Sequence, residues 1–299
     1  MALTAQLVTV WRARLEPYFD ILPSFNEALC NNHYEGDLKE NATLKVLTMG
    51  EVAESAYTGG WTDGDFAALS TTSIDFTLDQ KRKILFAVPD VNQYGSGSYQ
   101  LLDQGSKRAA YAVSNRRDQY LATMHTNITT NVYGSTGTPI VVGFDKVKNE
   151  TLPSVALASL LELMGESNAD MSKPQAVLPV WFGSYLYQEF STKFTSGGDA
   201  AGTFAAVPGK MQGLANNAGG FSNLYLSNNV VNTAGAAYKV MASTPDVGIT
   251  YASVIDKLEG GRLQNDFSDY IKGLFYYGAT VPFEKHMGLG TFNRGTARQ

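Results

Sequence analysis

Residues 74–93, IDFTLDQKRKILFAVPDVNQ, change character halfway along. Ile74, Phe76 and Leu78 alternate with Asp75, Thr77 and Asp79, the two-residue period of a strand with one buried face. After the basic Lys81, Arg82 and Lys83, the run ILFAV at residues 84–88 is apolar on both faces, which predicts a strand covered from both sides and ended by Pro89. Upstream, Leu44, Val46 and Thr48 alternate with Lys45 and Leu47 as a second strand. Between the two lies GEVAESAYTGGWTDGDFAALS, residues 50–70, with turn signals at Gly59-Gly60 and Asp63-Gly64. The simplest joining is a long hairpin whose exposed tip carries Trp61 and Phe66, and an exposed tryptophan calls for a covering surface.

Downstream, residues 98–128 contain no proline, and Leu102, Gly105, Ala109, Ala112, Val113, Tyr120, Met124 and Ile128 return every three or four residues, or at multiples of that step. This predicts the longest helix of the chain, roughly 45 Å at the helical rise, with Asp103 and Lys107 as a supporting pair. Its narrow stripe of small residues suits a helix lying flat on a sheet. A second helix is expected over residues 152–166, with Thr151 as N-cap and Pro153 in its first turn. A third begins at Pro179 with WFGSYLYQEF as its body. Residues 195–236 are rich in glycine, alanine and asparagine and read as loops with short strands such as Asn223–Leu226. Residues 247–281 favour strands again. At the start, Leu3, Leu7, Val10, Trp11 and Leu15 share one helical face until Pro17, a short amphipathic arm. The pattern gives an α+β fold class.

Composition excludes several roles. The 299 residues, 44% hydrophobic and 17% charged, are globular in character and sufficient for one large domain or two ordinary ones. A net charge of −5 supplies no broad basic surface for phosphate backbones. Cys30 is the only cysteine, so no intrachain disulfide stabilises the fold, and a reducing cytosol suits it. The first residues lack the layout of a signal peptide and no run of about 18 apolar residues occurs, so neither secretion nor a membrane span is expected. The sequons at Asn41, Asn127 and Asn149 then report no glycosylation.

The densest polar stretch is NNHYEGDL, residues 31–38. His33, Glu35 and Asp37 converge on a metal only along one face of a strand, and Gly36 interrupts that strand, so a polar junction is the expected role. His125 and His286 are lone histidines without a ligand partner at motif spacing. There is no Gly-x-Ser-x-Gly and no Ser-x-x-Lys, and Cys30 reads as a buried small hydrophobe. GSGSYQ at Gly95 lacks the third glycine of a dinucleotide loop, and GSTGTP at Gly134 lacks the ending of a phosphate loop. The carboxylate pairs Glu35/Asp37 and Asp266/Asp269 are too close in sequence to face a substrate from opposite sides, which leaves a hydrolase as the weaker reading. No catalytic, cofactor or metal site is expected. Lys81–Lys83 and Arg116-Arg117 are expected to pair with a neighbouring subunit's carboxylates, for which Glu51, Glu54, Asp63 and Asp65 on the hairpin supply the opposite sign.

Four segments together resemble the major capsid proteins of tailed bacteriophages, the Hong Kong 97-like coat fold. WRARL followed by NNHYEGDLKENATLKVL is similar to that family's amino-terminal arm and the first strand of its extended loop. Residues 74–93 are similar to the returning strand that leads to the spine helix. VLPVWFGSYLYQEF resembles the entry to the axial domain, and residues 249–284 resemble the closing return to the peripheral sheet. The resemblance implies an arm at 1–41, an extended loop at 42–84, a peripheral domain at 85–150 with its spine helix at about 98–128, an axial domain at 151–254 and a return to the peripheral domain at 255–299. NNHYEGDL then becomes the hinge between arm and loop. The implied role is a shell subunit, assembled in a host cytoplasm, that joins copies of itself as pentamers and hexamers around packaged double-stranded DNA, touched only weakly. A tail or portal-associated protein is the nearer alternative. Portal and decoration proteins are possible partners, and any scaffold is expected to be a separate protein, because no coiled-coil segment precedes the arm. Leu7, Trp11, Trp61, Phe66, Arg116 and Arg117 are the expected intersubunit contacts.

Overall fold

A computed structural model describes residues 24–33, 43–49, 59, 71–89, 98–193, 206–207, 210–211 and 220–297. In chain order its elements begin with α1 (Ser24–Leu29), β1 (Cys30–Asn31), β2 (Thr43–Met49), β3 (Thr71–Thr77), β4 (Gln80–Pro89) and α2 (Ser98–Thr123). There follow β5 (Asn131–Tyr133), β6 (Ile140–Val142), α3 (Pro153–Glu166), β7 (Gln175–Leu178) and α4 (Val180–Lys193). The remainder is strand: β8 (Ala206–Val207), β9 (Lys210–Met211), β10 (Asn223–Leu226), β11 (Asn232–Thr233), β12 (Ala237–Ser243), β13 (Ile249–Arg262), β14 (Ser268–Thr280) and β15 (Met287–Arg294).

The strand-favouring stretch over 247–281 holds one hairpin, β13 and β14, antiparallel from Thr250 opposite Thr280 to Arg262 opposite Asp269, with a bulge between Ile255 and Lys257. β4 runs antiparallel beside β14 from Gln80 to Pro89, and β1 closes the other edge parallel to β13, giving the order β1-β13-β14-β4. Helix α2 covers one face, where Ile84, Val113, Ile255 and Leu258 pack around Phe275. Gly105 permits this approach, because a Cβ there would lie 2.9 Å from the Phe86 ring. The expected helix is present, but its buried face is rotated from the predicted stripe. Ser106, Ala110, Ser114, Arg117, Asp118, Leu121 and Ala122 are buried, while Ala112 is exposed and Gly105, Ala109, Val113 and Tyr120 are half-covered.

ILFAV does not form a strand covered on both sides. β4 is the sheet edge; Leu85 is 66% exposed, Ala87 is exposed, and only the Ile84, Phe86 and Val88 side turns inward. Lys81 and Lys83 stand on the exposed side of this edge, the usual guard against pairing with another strand.

The second sheet follows the order β5-β15-β12-β7-β10-β9-β8, with β6 on β15 and β11 on β12. Helices α3 and α4 cover it, and Leu157, Leu160, Met164, Phe182, Leu186, Phe221, Val240 and Phe292 form their common core. Helix α3 is not capped by Thr151, whose N–H goes instead to the Val141 carbonyl at 2.9 Å. Leu152 is the N-cap residue and makes no side-chain bond. The orphan N–H of Ser154 donates to Glu189 Oε2 at 2.9 Å, and the Ser154 hydroxyl donates to Glu189 Oε1, so a carboxylate from α4 closes the helix end.

β13 runs unbroken through residue 254, β15 lies in the large sheet, and β5 and β6 pair with β15.

Gly278→Ala would place a Cβ 2.2 Å from the Thr77 carbonyl oxygen and 3.0 Å from Leu78 Cα. Backbone cannot yield as a flexible side chain does, so we expect a loss of about 1–3 kcal/mol in chemical denaturation. Glu189→Ala leaves the Ser154 N–H and hydroxyl without their acceptor and is expected to cost about 1–3 kcal/mol, with Glu189→Gln milder in the same assay.

Candidate assembly surface

The small sheet ends abruptly. β4 stops at Pro89 opposite Ser268, and β13 stops at Arg262 opposite Asp269, so the turn over residues 263–267 stands beyond every strand of that sheet. The turn is closed by the Leu263 N–H donating to the Ser268 carbonyl at 3.0 Å and the Ser268 hydroxyl donating to Asp266 Oδ2 at 2.8 Å. Phe267 is 76% exposed there, with the Arg262 guanidinium 5.7 Å from its ring centre, and Leu263 is 39% exposed. A rigid turn that presents an aromatic ring to water is an interaction feature in search of a surface. The sequence signal for this feature is an aromatic ring between two acids, Asp266 and Asp269, inside a short polar turn.

A groove of about 290 Å³ lies on the sheet face opposite α2, lined by Lys83, Leu85, Lys257, Glu259, Lys272 and Leu274 among others. Glu259 and Lys272 pair across it at 2.6 Å, which holds the Glu259 carboxyl below and the Lys272 amine above their ordinary values. Both are half exposed, so the pair contributes little to stability. The same face also carries the β2–β3 hairpin, antiparallel from Thr43 opposite Thr77 to Met49 opposite Thr71 as the alternation predicted. Val46, Phe76 and Leu78 pack on Ala252 and Tyr276, so the base of this hairpin covers its apolar side within its own chain. Trp61 and Phe66 on its expected tip, and Leu7 and Trp11 on the arm, lie outside the described residues, as do Glu51, Glu54, Asp63 and Asp65.

The two arginines part company. Arg116 is exposed and donates to Gln119 Oε1 at 3.0 Å. Arg117 is only 9% exposed, with its guanidinium 5.6 Å from the Tyr251 ring centre, so it is committed inside its own chain rather than offered to a neighbour. Sequence spacing placed them together because adjacent helical residues sit about 100° apart, enough to separate solvent from core.

At the opening polar stretch, Asn31 Nδ2 donates to the Asp246 carbonyl at 3.0 Å and Asn31 Oδ1 accepts the His33 N–H at 2.9 Å, bonds that suit a junction. Glu35 and Asp37 lie outside the described residues. Cys30 is buried and burial raises its thiol far above the ordinary value, which keeps it inert. GSTGTP forms a turn in which Gly134 has a φ of +80° and the Ser135 N–H donates to the Thr138 carbonyl at 3.2 Å. Among the described residues, no three His, Cys, Asp or Glu side chains gather as metal ligands, and no helix is long and apolar enough to cross a membrane.

No known family model matches the sequence, and no curated protein is similar to it. Solved structures are. A structure from Mycobacterium phage Che8 is 24% identical and superposes with a TM-score of 0.62 over 90% of both chains. The capsid of cyanophage P-SCSP1u is 14% identical, with a TM-score of 0.61 over 90% of this chain and 86% of that one. The mature capsid of bacteriophage PhiM1 is 9% identical, with a TM-score of 0.59 over 92% and 88%. At such identities what is shared is architecture, carried over nearly the whole length of each molecule. This chain has the Hong Kong 97-like fold of tailed-phage capsid subunits.

Proposed function

We propose that this chain is a major capsid protein, self-assembling as pentamers and hexamers into the icosahedral shell around the double-stranded DNA of a tailed phage. The observation that carries the reading is the fold itself, shared over 90% of this chain with the cyanophage P-SCSP1u capsid and over 92% with the PhiM1 capsid. Its surface agrees. Phe267, Leu263 and Leu85 expose apolar area on the hairpin turn and on an edge strand, where another copy can cover it. Covering a large apolar side chain is worth on the order of 1.5–3 kcal/mol, and the same contact recurs at every subunit of a closed shell.

In this reading the work is structural and the chain performs no catalysis. Leu7, Trp11, Trp61, Phe66 and the exposed Arg116 remain proposed contacts, joined by the exposed Phe267 and Leu85. A separate scaffold, a portal and decoration proteins are the proposed further partners, and assembly takes place in a host cytoplasm. A net charge of −5 favours weak contact with packaged DNA over adhesion.

Electron microscopy of the purified protein, alone and with extracts of its natural source, tests the reading. Closed shells or capsomer rings are expected; a monomer under all conditions overturns it. Phe267→Asp is expected to reduce assembly strongly while leaving the melting temperature of the unassembled subunit unchanged, since the ring is exposed in the single chain. Unimpaired shells from this variant would remove Phe267 from the interface. Arg116→Glu is expected to weaken assembly less, and mainly at low salt, because exposed ion pairs are worth about 0–1 kcal/mol.

A further inference from the structure

Strand β12, AYKVMAS, alternates between two cores. Val240 and Ala242 face helices α3 and α4, and Met241 joins the core on the other side. Lys239 stands on Met241's side of the strand and is only 7% exposed. Its Nζ donates to Thr136 Oγ1 at 2.7 Å and to Thr291 Oγ1 at 3.0 Å. Among the described residues no carboxylate accepts from it. Burial alone lowers the amine from its ordinary value, with no neighbouring charge acting on it. A buried ammonium is costly when no opposite charge compensates it.

The groups around Lys239 are all donors. An ammonium carries three N–H bonds, of which two are taken by the threonines. Each hydroxyl uses a lone pair to accept from Lys239 and keeps its own proton to donate. Neither hydroxyl proton, nor the third ammonium proton, meets a protein acceptor among the described residues. Three donors and one positive charge without an acceptor are the complement of an oxyanion.

The fold holds these donors in place. Thr291 lies directly opposite Lys239 in the β12–β15 pairing. Thr136 stands on the exposed turn between β5 and β6, whose Thr138 N–H donates to Ser135 Oγ at 3.1 Å. The turn is pressed onto β15, since a Cβ at Gly134 would lie 2.8 Å from the Thr291 carbonyl oxygen. Its outer side is open, because a Cβ at Gly137 would meet nothing within 4 Å.

We propose that Lys239, Thr136 and Thr291 form a binding site for inorganic phosphate at the turn between β5 and β6. Three phosphate oxygens meet the three donors and the fourth faces water past the turn. A phosphodiester has only two free oxygens and leaves one donor unmet, so the site selects free phosphate over a nucleic-acid backbone. The proposal does not depend on what the protein assembles into.

Thermal melts of the full-length, unassembled chain at fixed ionic strength, with phosphate replacing chloride, test the site. A ligand that binds only the folded state raises the melting temperature, and at a specific site the effect follows the ligand's own concentration. The wild type is expected to show this rise, and Lys239→Met to lose it. Thr136→Val is expected to raise the phosphate concentration needed for a given rise about tenfold, the loss of one hydrogen bond to a charged group. Dimethyl phosphate is expected to give a smaller rise than phosphate at equal concentration. No rise in the wild type, or an equal rise in Lys239→Met, overturns the proposal and leaves a general salt effect. An equal rise with dimethyl phosphate overturns the assignment to inorganic phosphate. Should Lys239→Met fail to fold, Thr136→Val on the exposed turn decides: an unchanged phosphate dependence overturns the site.

Discussion

The pairing of Ile249–Arg262 with Ser268–Thr280 is the constraint on which the rest of the architecture rests. A two-stranded ribbon is at best marginally stable alone in water, so one this long must be sheathed. β4 sheathes one edge and β1 part of the other, α2 packs on one face, and the base of the β2–β3 hairpin covers part of the other around Tyr276. Each cover requires a concession in the sequence. Gly105 gives the Phe86 ring room under the helix, and Gly278 gives the β3–β4 corner room against the ribbon. Past the ribbon's last pair only the turn over residues 263–267 remains, and there Phe267 meets water.

How much of this was legible in the sequence follows from local patterning. β2, β3, α3 and α4 announced themselves through their apolar periods and the proline or change of period at their limits, whereas α2 was legible as a long helix but not in which face it buries. β12 and β15, which pair with each other inside the large sheet, did not. MGLGTFNR reads as a loop because two glycines dilute it. The glycines are there because a Cβ at Gly288 would lie 2.8 Å from Met164 Sδ, and one at Gly290 would lie 2.4 Å from the Phe292 ring. The first demand comes from packing against α3 and the second from the Phe292 ring on the same strand, and neither leaves a trace in local propensity. The same holds for Glu189, whose role as the cap of α3 links positions 35 residues apart.

Phe267 escaped the sequence reading for a related reason. An aromatic residue in a glycine-rich loop invites notice, and Trp61 and Phe66 drew it; an aromatic residue between two aspartates does not. A closed, hydrogen-bonded turn holds Phe267 away from the body of the chain. Fixing the ring in advance lowers the entropy lost when a partner covers it. The edge strand shows the complementary tactic. Lys81 and Lys83 beside exposed Leu85 discourage strand addition while leaving apolar surface for a partner that approaches the face.

The contrast between the apolar covers and the polar crossing points has a physical origin. Within each sheet the backbone satisfies itself by pairing, and side chains are free to be apolar. Where the chain leaves one sheet for the other, its N–H and C=O groups lose their ladder and must find side-chain partners. Asn131, Glu284, His286, Ser243 and Thr244 meet that need at one place. Apolar packing is insensitive to pH, whereas a carboxylate or an imidazole acceptor is not. The seam is not polar throughout, since Leu121, Tyr251 and Tyr277 of the small-sheet layer share one buried apolar core with Val177, Met241 and Met287 of the large sheet, so polar crossings and apolar packing join the two sheets together.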